Sequence, residues 1–514
     1  MLRTMPLFSV YALSLFTAAK AVQIGPVADL VLTNEFVSPD GFPRSSVVAG
    51  GTHPGPIIRG TKGARFQLDV KNNLTSLDME RSATIHWHGI FQNGTSPEDG
   101  AAFVTQCPII PDHSYLYDFS APNQVGTYWY HSHMSTQYCD GLRGAFIIDN
   151  PNDPYKNLYD FDNEATVITL ADWFHVPARD ALNEHAQSTL INGRGRYPNG
   201  PIVPLSVINV QKNKRYRFRI VNMACSAAFT FAIDRHNLKV IEADGEYTRP
   251  LIVDSLEIFA GQRYSVVMNA TQAVGNYWVR ANPDRGNPGY DGGRNMAILR
   301  YAGAPAVDPT TVLSVKNPLK EVNLHALYDA HVPGNPWKGG ADVNLNIVQS
   351  FNEAAFRFEM NGHSFEPPTV PVLLQILNGT YKPQELLPQG TVIALPKNKV
   401  IEVSLPALPS TRSGPHAFWV VRSGDNTTYN YVDPVRRDTV STGLQTTNPN
   451  ATIRFVTDNS GPWFLHCHID WHLELGLAVV FAEDIPGIAQ TKTSDSWKEL
   501  CPLYEAWKAP PQGQ

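Results

Sequence analysis

Three short strings carry most of the chemistry this chain could do: His86-Trp87-His88, His131-Ser132-His133 and His466-Cys467-His468. With 16 His in 514 residues, chance predicts about 0.5 His-x-His pairs, so three call for an explanation. On a β-strand, residues i and i+2 point to the same face, and each string therefore aims two imidazoles at one place. Imidazole suits copper, zinc, iron and nickel alike. Cys467 narrows the choice, because a thiolate grouped with imidazoles describes an electron-transfer copper site, for which Cys467 and His472 supply two of three ligands. Since Cys467 sits between His466 and His468, one short backbone path would join its metal to metals held by those two histidines. That arrangement serves electron delivery.

The elements that must hold these groups read as β-structure. Short runs rich in Val, Ile, Phe, Tyr and Trp recur between Pro, Gly, Asn and Asp clusters, as at 216–221 and 399–405. Charged residues make up only 17% and apolar ones 43%, with 37 Gly and 40 Pro, which suits turn-rich sandwiches or barrels and disfavours disorder, coiled coils and helical bundles. A repeat divides the chain. Gly126-Thr127-Tyr128-Trp129-Tyr130-His131-Ser132-His133 leads on to an apolar strand at 144–148, and Gly461-Pro462-Trp463-Phe464-Leu465-His466-Cys467-His468 leads on to one at 476–480. Between them, Gly275-Asn276-Tyr277-Trp278-Val279-Arg280-Ala281-Asn282 leads on to 296–300 but carries Arg280 and Asn282 in place of histidines. The repeat predicts three related all-β domains, 22–150, 151–322 and 323–514, with the metal ligands on the first and third and the shared site between them.

Arg3, the apolar run from Leu7 to Ala19 and an Ala-Lys-Ala site ending at Ala21 read as an export signal, residues 1–21, with maturation near Val22. That run is too short to span a bilayer, and no later stretch reaches the roughly 18 to 20 apolar residues that a membrane helix needs. A soluble, secreted, extracellular protein is expected. Six Asn-x-Ser/Thr sequons, at Asn73, Asn93, Asn269, Asn378, Asn426 and Asn450, fit a glycoprotein. The net charge of −6 comes without any basic block, so nothing marks a nucleic-acid partner, and nothing demands a partner subunit, so a monomer is expected. Five cysteines are an odd number for an oxidising compartment. With Cys467 set aside as a ligand, Cys107, Cys139, Cys225 and Cys501 remain for two disulfides.

The strings HWHGIFQ, GTYWYHSHMSTQYCDGLRG and GPWFLHCHIDWHLELGL make the sequence resemble, over nearly its whole length, the fungal laccases of basidiomycete type in the multicopper oxidase family. The resemblance implies three cupredoxin-like Greek-key domains, four coppers, and one-electron oxidation of phenols or aromatic amines coupled to reduction of dioxygen to water, in lignin degradation or detoxification. By motif match His86 resembles a type-2 copper ligand, and His88, His131, His133, His466 and His468 resemble type-3 ligands. Cys467 and His472 resemble type-1 ligands, with Leu477 at the axial position, where the absence of a thioether raises the expected potential. The resemblance also implies the disulfides Cys107–Cys501 and Cys139–Cys225, and a proton-supplying role for Asp99, with Asp470 and Glu474 as residues that orient His472 or relay protons.

Two departures stand out. Laccases carry a His-Pro-x-His-x-His motif in the third domain, whereas this chain reads Ser413-Gly414-Pro415-His416-Ala417-Phe418-Trp419-Val420. Either His416 is the remaining type-1 ligand or it matches a non-ligating histidine that ends the motif; in both cases one type-2 and one type-3 ligand are missing. The chain therefore reads as an oxidase or, alternatively, as a catalytically impaired copper-binding homologue with fewer coppers. Second, Ser226 stands where many laccases place an acidic residue that binds the phenol, and a hydroxyl cannot act as a carboxylate base.

Overall fold

The computed structural model describes residues 22–182, 184–406, 411–424, 426–443 and 450–507, with backbone alone at 411–415; the expected export signal lies outside them. Alternation sets the layers. In Arg65–Asn72 every second residue is buried, as in much of His113–Ser120, so Phe66, Leu68 and Val70 join Tyr115, Tyr117 and Phe119 in one core around Trp87.

The first module stacks a five-stranded sheet on a four-stranded one, and the second a six-stranded sheet on a five-stranded one. In the first, β1 (Ile85–His88) pairs antiparallel with β2 (Gly126–Ser132), placing His86 opposite His131, and β2 pairs in turn with β3 (Arg143–Asp149). In the second, β4 (Asn276–Pro283) pairs with β5 (Met296–Tyr301) in the same way. The sequence repeat is thus a structural one. Where the outer copies carry His131 and His466, the middle copy buries Arg280 against Asp234 at 2.8 Å, a structural ion pair in place of a ligand.

The third module differs. Its main strands form one continuous eight-stranded sheet rather than two faces. The twelve-residue β6 (Thr411–Arg422) causes the merger, because it pairs with β7 (Arg436–Ser441), with Asn450–Val456 and, at Arg412 and Ser413, with β8 (Gly461–Cys467). Strand β8 pairs with β9 (Ala478–Glu483) from Gly461↔Glu483 to His466↔Ala478. Between them the five-residue helix α1 (Asp470–Glu474) turns the chain back.

Polar seams lock the modules together. Glu242 accepts the Thr127 amide at 2.7 Å between first and second modules. Arg263 grips Asp438 through two bonds of 2.6 Å, and Arg437 donates to Asp244 at 2.8 Å, between second and third. All five of these charged side chains are buried. Disulfides join Cys107 to Cys501, on helix α2 (Asp495–Trp507), and Cys139 to Cys225, with buried Cys467 in neither bridge. The pairing is the one the resemblance implied.

Candidate metal centre

Strands β1 and β2 bring His86, His88 and His131 together, with one ligand atom of each within 4.8 Å of the others, and the end of β8 brings His466 and His468 across the seam. His88 Nδ1 lies 3.3 Å from His468 Nε2, and His133 Nε2 lies 3.3 Å from His466 Nε2. Each contact joins the first module to the third. All six imidazoles of the three strings therefore converge, and the middle module supplies the floor. Gly261, at φ +84, lies so close that a Cβ there would stand 2.8 Å from His468 and 3.1 Å from His88, so only glycine fits.

The outer nitrogens of five rings are committed. His86, His131 and His466 donate from Nδ1 to the carbonyls of Asp99, Ser132 and Cys467 at 2.8, 2.7 and 2.9 Å. Tyr138 donates its hydroxyl to the Ala224 carbonyl and receives His468 Nδ1 at 3.4 Å, and Thr439 donates to Asp438 and receives His88 Nε2 at 3.3 Å. In the neutral rings the other nitrogen of each of these five is then the unprotonated one, turned toward the cluster. His131 Nε2 is buried without a hydrogen-bond partner. Six imidazoles brought this close, with the His131 nitrogen left without a hydrogen-bond partner, form a donor set that fits a metal that takes imidazole.

Electrostatics agree. Burial, then mutual repulsion, holds His88 and His131 well below the ordinary histidine pKa; His133 follows the same pattern, and burial holds His468 at about 3. Neutral rings bind metal without first releasing a proton. For His86 burial acts the same way, but the Asp99 carboxylate, 3.5 Å from Nδ1, outweighs it and raises the pKa. Asp99 lines a cavity of about 20 Å³ with His86, His88, His133 and His466, room for one water-sized molecule.

The sulfur site is less complete. Cys467 Sγ lies 3.5 Å from His472 Nδ1, which α1 carries back towards β8, and receives the Ile469 amide at 3.4 Å. Leu477, fully buried, takes the Cys467 amide on its carbonyl at 3.0 Å, which sets it beside the sulfur. The Phe358 ring covers His472 at 4.6 Å. His416 does not join them, which corrects the expectation that it serves as a ligand. Its Nε2 bonds Glu483 at 2.8 Å and its ring stacks on Phe455. Glu483 pairs with Gly461, and six residues of extended β8 separate Gly461 from Cys467, roughly 20 Å. The short segment before His416 leaves it at the far end of the strand.

Other expected residues are placed as follows. Asp470 is buried and bonds the Cys225 carbonyl through its amide, its carboxyl pushed well up by burial and then by Glu474 and Asp172. Glu474 is exposed at the end of α1. Ser226 donates its amide to Asp172 at 2.9 Å and its hydroxyl at 3.3 Å, so Asp172, which the sequence reading missed, anchors the loop after Cys225. Of the sequons, Asn73, Asn93, Asn269 and Asn378 are exposed, while Asn426 and Asn450 are half-buried.

Residues 32–153, 164–304 and 365–487 each match a multicopper oxidase family model. Laccase-1 of Trametes villosa is 55% identical over 507 residues, 96% of this chain and 97% of that protein; Laccase-1 of Pleurotus ostreatus is 54% identical over 94% of each. Among solved structures, the laccase of Botrytis aclada superposes with a TM-score of 0.81 at 29% identity over 96% of this chain and 94% of that one. Fet3p, a multicopper oxidase that functions in iron import, gives 0.81 at 27% over 93% and 95%. The chain belongs to the multicopper oxidases, built from three cupredoxin-like domains and using copper. Within that family it is a laccase-like oxidoreductase.

Proposed function

We propose that the protein is a secreted, extracellular, monomeric laccase whose domains meet near residues 150 and 322, and that it oxidises phenols one electron at a time at the Cys467 and His472 centre. In this reading Cys467 and His472 would hold copper at the sulfur site, and His86, His88, His131, His133, His466 and His468 would hold copper at the seam. Copper supplies a one-electron carrier at the sulfur and a site for dioxygen at the seam. The residues supply the rest. Phe358 shields one face of His472, Ser226 and Asp172 shape the loop on the substrate side, and Asp99 holds a proton-accepting oxygen beside the cavity. Asp470 and Glu474 are proposed to act through α1, by keeping His472 in place. The four exposed sequons suit glycosylation of a secreted chain.

The observation that carries this reading is the convergence of six imidazoles from two modules, with Cys467 set between two of them. The test is oxygen uptake by the copper-loaded protein with a simple phenol, in parallel with Cys467→Ser. Uptake that disappears in the variant supports the reading. Copper bound without any oxygen uptake by the parent would describe the impaired copper-binding homologue instead.

A further inference from the structure

A row of aromatic rings runs from the seam into the first module. Trp87 is flanked in sequence by His86 and His88, so the pleat of β1 turns its ring to the opposite face, into the core. The indole is fully buried, and its ring nitrogen finds no hydrogen-bond partner. The Tyr117 ring meets it edge to face at 5.2 Å, and the Tyr115 ring meets Tyr117 in the same way at 4.6 Å. Both phenols are buried, but their hydroxyls are used differently. Tyr117 donates to the Gln106 side chain at 2.9 Å, a neutral amide that cannot keep a proton. Tyr115 donates to the Glu98 carboxyl, 3.0 Å from each oxygen, which is proton-transfer distance. Glu98 keeps 9% of its surface exposed, so the row ends at a proton acceptor that reaches solvent.

A phenol gives up an electron far more readily when a base takes its proton at the same time, because the oxidised phenol is a strong acid. Resting on the copper-oxidase reading above, we infer that Tyr115 is a reserve electron donor to the seam, connected through Tyr117 and Trp87, with Glu98 as its proton acceptor. The Tyr115 O–H bond breaks and its proton forms an O–H bond on Glu98. Its electron passes through the two intervening rings to the seam, where it is one of the four that turn dioxygen and four protons into two waters. Tyr115 is left as a neutral phenoxyl radical. A phenolic substrate later supplies one electron through the sulfur centre, Glu98 returns the proton, and both residues are restored. The device acts when dioxygen has arrived and the sulfur centre holds too few electrons to finish the reduction.

The test is electron paramagnetic resonance on copper-loaded Cys467→Ser, whose sulfur site delivers no electron. The protein is reduced, freed of reductant, mixed with dioxygen and frozen within milliseconds. Burial holds the Glu98 pKa at about 7, so mixing at about pH 8 presents the ionised acceptor. A narrow tyrosyl signal is expected, and ring-deuterated tyrosine should collapse its couplings. Tyr115→Phe in the same background should remove the signal. Glu98→Gln, which keeps the ring and a hydrogen-bond acceptor but no base, should cut it at least about tenfold. A signal that survives Tyr115→Phe, ignores deuteration or keeps its full size in Glu98→Gln would overturn the inference. So would the absence of any radical when the chain with Cys467 intact consumes dioxygen with phenol, a result that leaves the oxidase reading standing. Copper-loaded protein that takes up no dioxygen with phenol would sink both. The deuterated sample and Glu98→Gln decide the matter even if Tyr115→Phe fails to fold.

Discussion

At the scale of single residues, the imidazoles of the three strings were legible because a strand puts i and i+2 on one face and the strings recur at matching places in the repeat. His416 was not, because its position depends on how β6 is drawn along β8. Glu98 was missed for a different reason: in the string Pro97-Glu98-Asp99-Gly100 it reads as a surface turn. The structure buries it to 9% exposure, with both carboxyl oxygens 3.0 Å from the Tyr115 hydroxyl. Burial pushes its pKa up to about 7, against the lowering effect of that bond and of the Asp118 amide. A carboxyl raised on folding keeps its proton in the native state over a range where the unfolded chain has lost it. Its contribution to stability is therefore full below about pH 4.3 and is lost as pH rises through about 7. Glu98→Gln removes that loss. Chemical unfolding should show the variant more stable than the parent at pH 8, by up to about 3 kcal/mol, and no more stable at pH 4. Equal stability at pH 8 would mean that Glu98 is ionised without penalty.

At the scale of elements, the sequence revealed strands and turns but not the seam. Arg437, Asp244, Arg263 and Asp438 look like ordinary surface charges in a chain, yet they lie buried where the second module meets β7. Nothing local marks them, because each finds its partner on a remote element. Asp244 accepts from Arg437 at 2.8 Å and from the Arg263 amide at 2.7 Å, at φ 48, a backbone region that Asn also tolerates. Asp244→Asn should keep the turn yet leave the Arg437 charge poorly compensated, at a cost of about 3 kcal/mol. A thermal melt would register this as a clear drop, and an unchanged midpoint would show that Glu321, which also bonds Arg437, suffices. The merged sheet of the third module was equally illegible, since twelve residues from 411 to 422 can read as two short strands as easily as one long one.

At the scale of the whole molecule, metal and module docking are linked. Both 3.3 Å histidine pairs span first and third modules, so a metal bound there stabilises only the docked state, by about 4 kcal/mol when free metal exceeds its Kd a thousandfold. Chelation should lower the melting temperature, and His466→Ala should blunt the response to added copper. A melt indifferent to chelation in the parent would show that the polar seams alone hold the modules.

The Cys107–Cys501 bridge has a consequence for biosynthesis. Its two halves are 394 residues apart, and helix α2 lies against the first module, where the Trp497 ring nitrogen donates to the Thr105 carbonyl at 3.1 Å. The partner thiol of Cys107 leaves the ribosome long after the strands around Cys107 have been made. During that interval Cys107 is open to oxidation with Cys139 or Cys225, which emerge sooner. For a chain made in an oxidising compartment, that order of emergence predicts that removing α2 raises the yield of Cys107 bridged to Cys139 or Cys225, which peptide mapping of the truncated chain would read.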